Sequence, residues 1–137
     1  MVIDSSALVA IVFAEPEAAQ FRIAVAKATI RIISAASALE AAIVVESRRG
    51  QQAGRDLDQV LTEGDIQIVP VTIEQITVAR RAFRQYGKGR HKAGLNFGDC
   101  FSYALAKVSG EPLLYKGNDF GLTDLALISP PPSPQNT

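Results

Sequence analysis

Short apolar segments that favour strands alternate along the chain with longer segments whose apolar residues recur every three or four positions. The first pattern is typical of buried strands and the second of amphipathic helices. The predicted strands cover residues 1–3, 29–34, 66–71, 112–115 and 125–128. The predicted helices cover residues 6–14, 18–28, 56–63, 72–86 and 99 to about 110. A further helix is predicted from a serine cap at 34 or 37 to about residue 49. This alternation predicts an α/β fold, a three-layer α/β/α domain around a mainly parallel sheet of four to five strands.

Length and composition limit the number of domains. The chain has 137 residues, 47% of them hydrophobic, which supports one domain with a substantial core and leaves little room for a second. We predict a single domain over residues 1–129. Residues 130–137 are rich in proline, and we expect them to form a disordered tail.

Charge and cysteine content exclude several classes of protein. The 14 basic and 14 acidic residues cancel, so the net charge by itself indicates no polyanionic partner. The single cysteine, Cys100, excludes an intrachain disulfide and is typical of a reducing compartment. The apolar N-terminus lacks the basic segment of a secretory signal, and no apolar run reaches the roughly 18 residues that cross a bilayer. We therefore predict a soluble, cytoplasmic protein with no membrane partner.

Four acidic residues lie inside or beside apolar segments, where a solvated charge is not expected. They are Asp4, Glu40, Asp99 and Asp119. Asp4 and Asp119 each follow a predicted strand, and ligands of parallel sheets bind beyond the carboxyl ends of the strands. Asp99 lies at the predicted start of a helix, where an ordinary N-terminal cap is the alternative interpretation. The four together predict one shared site.

Carboxylates that converge without His or Cys partners favour one kind of chemistry. They repel one another, so either their pKa values rise or a cation holds them together. A site made only of oxygen ligands selects a hard ion, Mg²⁺ or Mn²⁺. Such ions activate water and neutralise the charge that develops on a phosphoryl group, which favours phosphodiester hydrolysis as the reaction.

A one-signed basic stretch precedes Asp99. Residues 75–98 contain no acid, and their second half is punctuated by glycine, which predicts a loop. We predict that Lys88, Arg90 and Lys92 hold the phosphate backbone of a nucleic acid beside the acidic site. Arg80 and Arg81 fit a solvated helix face equally well.

Four segments closely resemble the PIN-domain ribonuclease toxins of the VapC kind, from bacterial toxin–antitoxin pairs. They are VIDSSALVAI with Asp4, SALEAA with Glu40, YGKGRHKAGLNFGDCFSYALAK with Asp99, and LLYKGNDFGLTDL with Asp119. The resemblance covers nearly the whole chain except the proline-rich tail. The first aspartate and the Gly-Asp pair are specific in combination, although either one alone is a weak signal.

The resemblance implies a function, partners and residue roles. It implies a PIN-like, Mg²⁺- or Mn²⁺-dependent endoribonuclease that is a homodimer and is inhibited by a VapB antitoxin, whose C-terminal segment occupies the acidic pocket. By position, Asp4 and Asp99 match the principal metal ligands of the family, and Glu40 matches the acid on its third helix. The fourth acid is Asp119, with Asp124 as a competitor. Ser5 or Ser6 stands where the family often has a hydroxyl that supports the metal site.

Other interpretations of the same residues remain open. The acidic pocket also suits a catalytically silent binding module that captures a basic partner peptide. Cleavage of DNA is a third option, because nothing in the sequence visibly reads a 2′-hydroxyl. A thiol nucleophile at Cys100 with His91 as its base is weaker than a buried structural thiol, because Cys100 begins an apolar helix.

Overall fold

Four parallel strands form one sheet in the computed structural model, which describes residues 1–128. The strands are β1 (Val2–Ile3), β2 (Ile32–Ser34), β3 (Gln67–Val69) and β4 (Leu113–Leu114). Their spatial order is β3-β2-β1-β4, so β1 lies between β2 and β4. Val2 is in register with Ile32 on one side and with Leu113 on the other. The predicted tail over residues 130–137 lies outside the described residues.

Within residues 1–128, six helices connect the strands and one short 3₁₀ helix follows β4. They are α1 (Ser5–Val12), α2 (Ala18–Lys27), α3 (Ala35–Arg49), α4 (Gln51–Glu63), α5 (Ile73–Tyr86), α6 (Phe97–Ser109) and a 3₁₀ helix at Asp119–Leu122. The longest, α3, has 15 residues. No helix within residues 1–128 is both long enough and apolar enough to cross a membrane.

Alternate residues of each strand face opposite sides of the sheet, and each side has its own core. Ile3, Ile33 and Leu114 point to one side, where they pack with apolar residues of α1 to α4. Val2 and Leu113 point to the other side, where α5 and α6 cover them. Because both faces of the sheet are buried under helices, the three-layer α/β/α prediction is confirmed.

The structure differs most clearly from the predicted element bounds at two places. The predicted fifth strand at 125–128 forms only an isolated bridge between Leu127 and Leu113. The predicted helix at 56–63 begins earlier, at Gln51, because Gly50 ends α3 and also precedes α4. Gly50 has a φ of 78°, a backbone conformation that glycine adopts without strain. The chain therefore turns within one residue and needs no loop between α3 and α4.

Candidate active site

Asp4 follows β1 directly and caps α1 with its side chain. Its Oδ2 accepts hydrogen bonds from the Ser6 backbone N–H at 3.0 Å and from the Ser6 hydroxyl at 2.6 Å. The Ser6 hydroxyl in turn accepts from the Lys116 N–H at 2.9 Å, just beyond β4. Only 3% of Asp4 is exposed. The carboxylate is therefore buried at the carboxyl edge of the sheet, and Ser6 holds it in place.

A second hydroxyl, on α6, binds the other oxygen of Asp4. Ser102 Oγ donates to Asp4 Oδ1 at 2.5 Å and lies 3.1 Å from Ser37 Oγ on α3. Neither serine was predicted from the sequence to belong to the site. The available signal was spacing, because Ser37 precedes Glu40 by three residues and Ser102 follows Asp99 by three, and residues three apart on a helix share a face.

Asp99 is the third residue of α6 rather than its first residue or its cap. Asn96 is the cap: its Oδ1 accepts from the Asp99 N–H at 2.9 Å, and Asp99 Oδ2 accepts from the Asn96 N–H at 3.0 Å. This reciprocal pair is a capping box, which satisfies two backbone donors at once. The predicted helix start at 99 is two residues late, because Asn96 is as typical of a loop as of a helix cap.

The electrostatic environment of Asp99 places it among other acids. Its pKa is raised from 3.8 to about 7, mainly because burial disfavours the charged form. The carboxylates of Asp4 and Asp119 raise the pKa further, against the opposing effect of the hydrogen bond from Asn96. Asp99 therefore lies close enough to Asp4 and to Asp119 to be repelled by both, although Asp4 is 95 positions away along the chain.

Glu40, on α3, leans over the first turn of α6. Its Oε1 accepts a short hydrogen bond from the Ser5 hydroxyl. Its Oε2 occupies the space beside Gly98, where an added Cβ would lie only 2.0 Å from that oxygen. Gly98 is therefore a further residue that sequence reasoning missed as part of the site, because its role is to leave room for a carboxylate from another helix.

The two candidates for the fourth acid lie in different surroundings. Asp119 opens the 3₁₀ helix after β4, is exposed, and interacts with Asp99. Asp124 accepts from the Tyr103 hydroxyl at 2.6 Å and pairs with Lys107 at 2.6 Å. The geometry thus supports Asp119, and we call Asp4, Glu40, Asp99 and Asp119 the acidic cluster.

The donor chemistry of the acidic cluster fits a hard divalent cation, because all four side chains offer carboxylate oxygens. Within residues 1–128, however, no group of three or more His, Cys, Asp or Glu side chains is arranged so that it could hold a metal ion. The carboxylates are turned toward protein donors instead, Asp99 toward Asn96 and Glu40 toward Ser5. Each carboxylate oxygen has two lone pairs, so these hydrogen bonds leave acceptor capacity on every acid.

The loop between α5 and α6, residues 87–96, carries positive charge up to the acidic cluster, and we call it the basic loop. A bridge between Gly87 and Leu95 closes it at its base. Lys88, Arg90 and Lys92 are all exposed. None of the ion pairs found within residues 1–128 involves these three cations, so their charges are available to a ligand.

Cys100 and His91 do not form a nucleophile and base. Cys100 is buried, and its thiol donates to the Asn96 carbonyl oxygen. Burial raises the pKa of the thiol, and the neighbouring Asp99 carboxylate raises it further, both of which disfavour the reactive thiolate. His91 Nδ1 accepts from the Ala93 N–H within the basic loop. These contacts agree with the structural thiol that the sequence favours.

Comparison with known proteins identifies the family. Residues 1–125 match the PIN domain family. The chain is 58% identical over 128 residues to "Ribonuclease VapC" of Mycolicibacterium smegmatis, which covers 93% of this chain and 99% of that protein. The chain belongs to the VapC family of PIN-domain ribonucleases. It is also 54% identical over 131 residues to "Ribonuclease VapC30" of Mycobacterium tuberculosis, covering 96% of this chain and all of that protein (100%). The family prediction is therefore confirmed.

A solved structure shows the same fold. The VapC20 toxin of Mycobacterium tuberculosis, described as cleaving the sarcin–ricin loop, superposes with a TM-score of 0.77. The match covers 94% of this chain and 98% of that one at 17% sequence identity. At such low identity the likeness concerns the fold, and it agrees with the three-layer arrangement of this VapC-family chain.

The raised pKa of Asp99 predicts that the metal-free protein loses stability as pH rises. Between pH 4 and 7 the folded state holds a proton that the unfolded state has released, so the free energy of unfolding falls over this range. The substitution Asp99→Asn removes this loss and keeps an amide oxygen that can accept from Asn96. In EDTA, we expect the variant to unfold at a higher temperature than the wild type at pH 8, with the difference vanishing near pH 4. The same difference in unfolding temperature between the variant and the wild type at pH 4 and at pH 8 would contradict the prediction.

Proposed function

We propose that the chain is a metal-dependent endoribonuclease toxin of a toxin–antitoxin pair, which hydrolyses RNA phosphodiester bonds. The observation that carries the proposal is the meeting of Asp4, Asp99 and Asp119 at one edge of the sheet, where Asp99 interacts electrostatically with both other acids. Membership of the VapC family, whose named relatives are ribonucleases, supports the same activity.

The acidic cluster would hold Mg²⁺ or Mn²⁺, and Asp4 and Asp99 are its principal ligands in this proposal. Bound between these carboxylates, such an ion would supply an activated water and would neutralise charge on the scissile phosphate. Ser6 orients Asp4, and Ser5 orients Glu40, through the hydrogen bonds described above. These serines are therefore the metal-supporting hydroxyls of the proposal, because they fix the direction of carboxylates that would otherwise move apart.

The basic loop would bind the RNA backbone. Lys88, Arg90 and Lys92 carry exposed charges on a loop that ends at Asn96, the residue that caps the helix of Asp99. Contacts from such cations position a nucleic acid without reading its sequence. The loop would therefore place a phosphodiester over the acidic cluster and leave the choice of RNA to other surfaces.

A VapB-type antitoxin would neutralise the enzyme by occupying the acidic cluster with a positively charged segment. The excess of carboxylates at this edge favours a cationic partner, since opposite charges attract and steer association. The naming of the relatives as VapC supports this type of partner. We place the pair in the cytoplasm, where a single free cysteine remains reduced.

A homodimer is the oligomeric state that we propose. An apolar groove of about 600 Å³ lies between α5 and α6. Ile76, Phe83 and Phe97 line it with exposed fractions of 49%, 37% and 79%. Contiguous exposed apolar surface of this kind marks an interaction site, and a second copy of the chain would cover it.

The direct test is a cleavage assay with purified, antitoxin-free protein on structured and unstructured RNAs, with Mg²⁺, Mn²⁺ or EDTA. We expect metal-dependent cleavage, and we expect Asp4→Asn and Asp99→Asn to abolish it while the fold is kept. Asp119→Asn should also abolish it, whereas Asp124→Asn serves as the matched control and should retain it, because Asp124 pairs with Tyr103 and Lys107 instead.

The outcomes of this assay separate the competing functions. Absence of cleavage with either metal, together with tight binding of a basic peptide, would favour the silent binding module. Cleavage of DNA with RNA left intact would favour the DNA nuclease. Loss of activity in Asp124→Asn but not in Asp119→Asn would show that Asp124, and not Asp119, is the fourth acid.

Gly98 provides a second test of how Glu40 is placed. In Gly98→Ala the new Cβ would collide with the Glu40 carboxylate, which must then leave its position beside α6. Because that carboxylate ends a flexible side chain, we expect the free energy of unfolding to change by no more than about 1 kcal/mol. The rate of RNA cleavage should fall by about tenfold to a hundredfold, since small misplacements of catalytic groups are costly.

Gly54→Ala is the matched control for this substitution. Gly54 lies on α4, and a Cβ there would come within 2.2 Å of the Glu46 carboxylate, which is outside the acidic cluster. The steric conflict is the same in kind, but cleavage should remain at the wild-type rate. Equal losses of activity in the two variants would show that the effect of Gly98→Ala is not specific to Glu40.

A further inference from the structure

Two buried serines form a hydrogen-bonded chain that ends on Asp4. Ser37 and Ser102 are 2% and 0% exposed, and their hydroxyl oxygens lie 3.1 Å apart. Ser102 Oγ is also 2.5 Å from Asp4 Oδ1. The chain thus links α3, α6 and the end of β1 beneath the acidic cluster, and we call Ser37 and Ser102 the serine pair.

The direction of the hydrogen bonds follows from the proton count. An ionised carboxylate only accepts, so the single hydroxyl proton of Ser102 is donated to Asp4. Ser102 then has only lone pairs to offer Ser37, so Ser37 is the donor in the bond between the serines. Bonds aligned in this way polarise one another, which makes Ser102 a stronger donor to Asp4.

The serine pair also joins the two helices that carry acids. Ser37 shares a face of α3 with Glu40, and Ser102 shares a face of α6 with Asp99, because each pair is three residues apart. A bond between the two serines therefore holds these faces together below the carboxylates. If the bond is lost, the distances among Asp4, Glu40 and Asp99 are less constrained.

We propose that Ser102, supported by Ser37, is a positioning residue that fixes the carboxylate of Asp4 and the separation of α3 and α6 for catalysis. The inference rests on the proposed function, since it assigns Asp4 a role in a metal-dependent reaction. It adds two residues to that site which touch neither the RNA nor the reacting atoms.

A purely structural role predicts a different pattern. A buried serine that only fills space is replaced by alanine at little cost. In this structure Ser102→Ala leaves Asp4 Oδ1 without its donor in a buried place, and Ser37→Ala leaves Ser102 with one acceptor bond fewer. The substitutions should therefore change metal binding and catalysis at Asp4. Ser102→Ala should change them more than Ser37→Ala.

The test compares Ser102→Ala, Ser37→Ala and the double variant with wild-type protein in two measurements. The first is the kcat and KM of RNA cleavage, and the second is the Mn²⁺ concentration that gives half-maximal thermal stabilisation. For Ser102→Ala we expect kcat to fall about 10- to 100-fold with KM nearly unchanged, and the Mn²⁺ midpoint to rise by a similar factor. Ser37→Ala should show a smaller change, and the double variant should match Ser102→Ala because Ser37 acts through Ser102.

Ser34→Ala is the control for stability. Ser34 is also 0% exposed and caps α3 by accepting from the Ala36 N–H, but it makes no bond to the acidic cluster. It should lower the unfolding temperature while the Mn²⁺ midpoint stays at the wild-type value. A shift of the midpoint in Ser34→Ala as large as that in Ser102→Ala would overturn the proposal, because general destabilisation would then explain both.

Failure of this inference is distinguishable from failure of the proposed function. Wild-type cleavage and Mn²⁺ stabilisation that Ser102→Ala leaves unchanged would overturn the positioning role and keep the nuclease. A wild-type protein that binds Mn²⁺ but cleaves no RNA would overturn the nuclease, and the Mn²⁺ midpoints would still decide the role of Ser102. Additive losses in the double variant would contradict action of Ser37 through Ser102.

Discussion

The fold brings several carboxylates to one edge of its sheet, where neighbouring residues must offset their mutual repulsion. Burial raises the pKa of Asp99 to about 7, and the nearby charges of Asp4 and Asp119 contribute to the increase. A protein gains no stability from such an arrangement, since burying like charges together is unfavourable. The surrounding residues hold the carboxylates in this arrangement.

The carboxylates are held by hydrogen-bond donors from neighbouring helices and caps. Ser6 and Ser102 hold the two oxygens of Asp4, and the Asn96 N–H holds Asp99. Ser5 holds Glu40. Each donor comes from a rigid element or its cap, so orientation is set by the helices rather than by flexible loops. The hydrogen bonds that cap α1 and α6 also orient the carboxylates of Asp4 and Asp99. Local helix stability is therefore linked to the placement of these acids.

Local pattern in the sequence was sufficient for the sheet and its two helical layers, because apolar periodicity predicts both. It also singled out four acids inside or beside apolar segments, and their role as one site stays a prediction. Asp4 could be placed because Asp-Ser-Ser follows a strand and precedes an apolar helix. The residues that were missed act across the fold. Ser102 reaches Asp4 over 98 positions of sequence, and Gly98 matters only because Glu40 arrives from α3. The true cap of α6 was missed because Asn96 fits either a loop or a helix start. The predicted fifth strand reaches β4 but pairs with it through a single bridge at Leu127, because apolar pattern alone does not determine how many residues pair.

We propose that the crowded carboxylates bind a divalent ion. The most direct measurement is a crystal structure of the protein grown with Mn²⁺, with anomalous scattering recorded to locate the metal. We expect an anomalous peak bonded to oxygens of both Asp4 and Asp99. A map in which Mn²⁺ in excess gives no peak there, or a peak only at acids elsewhere on the surface, would contradict it.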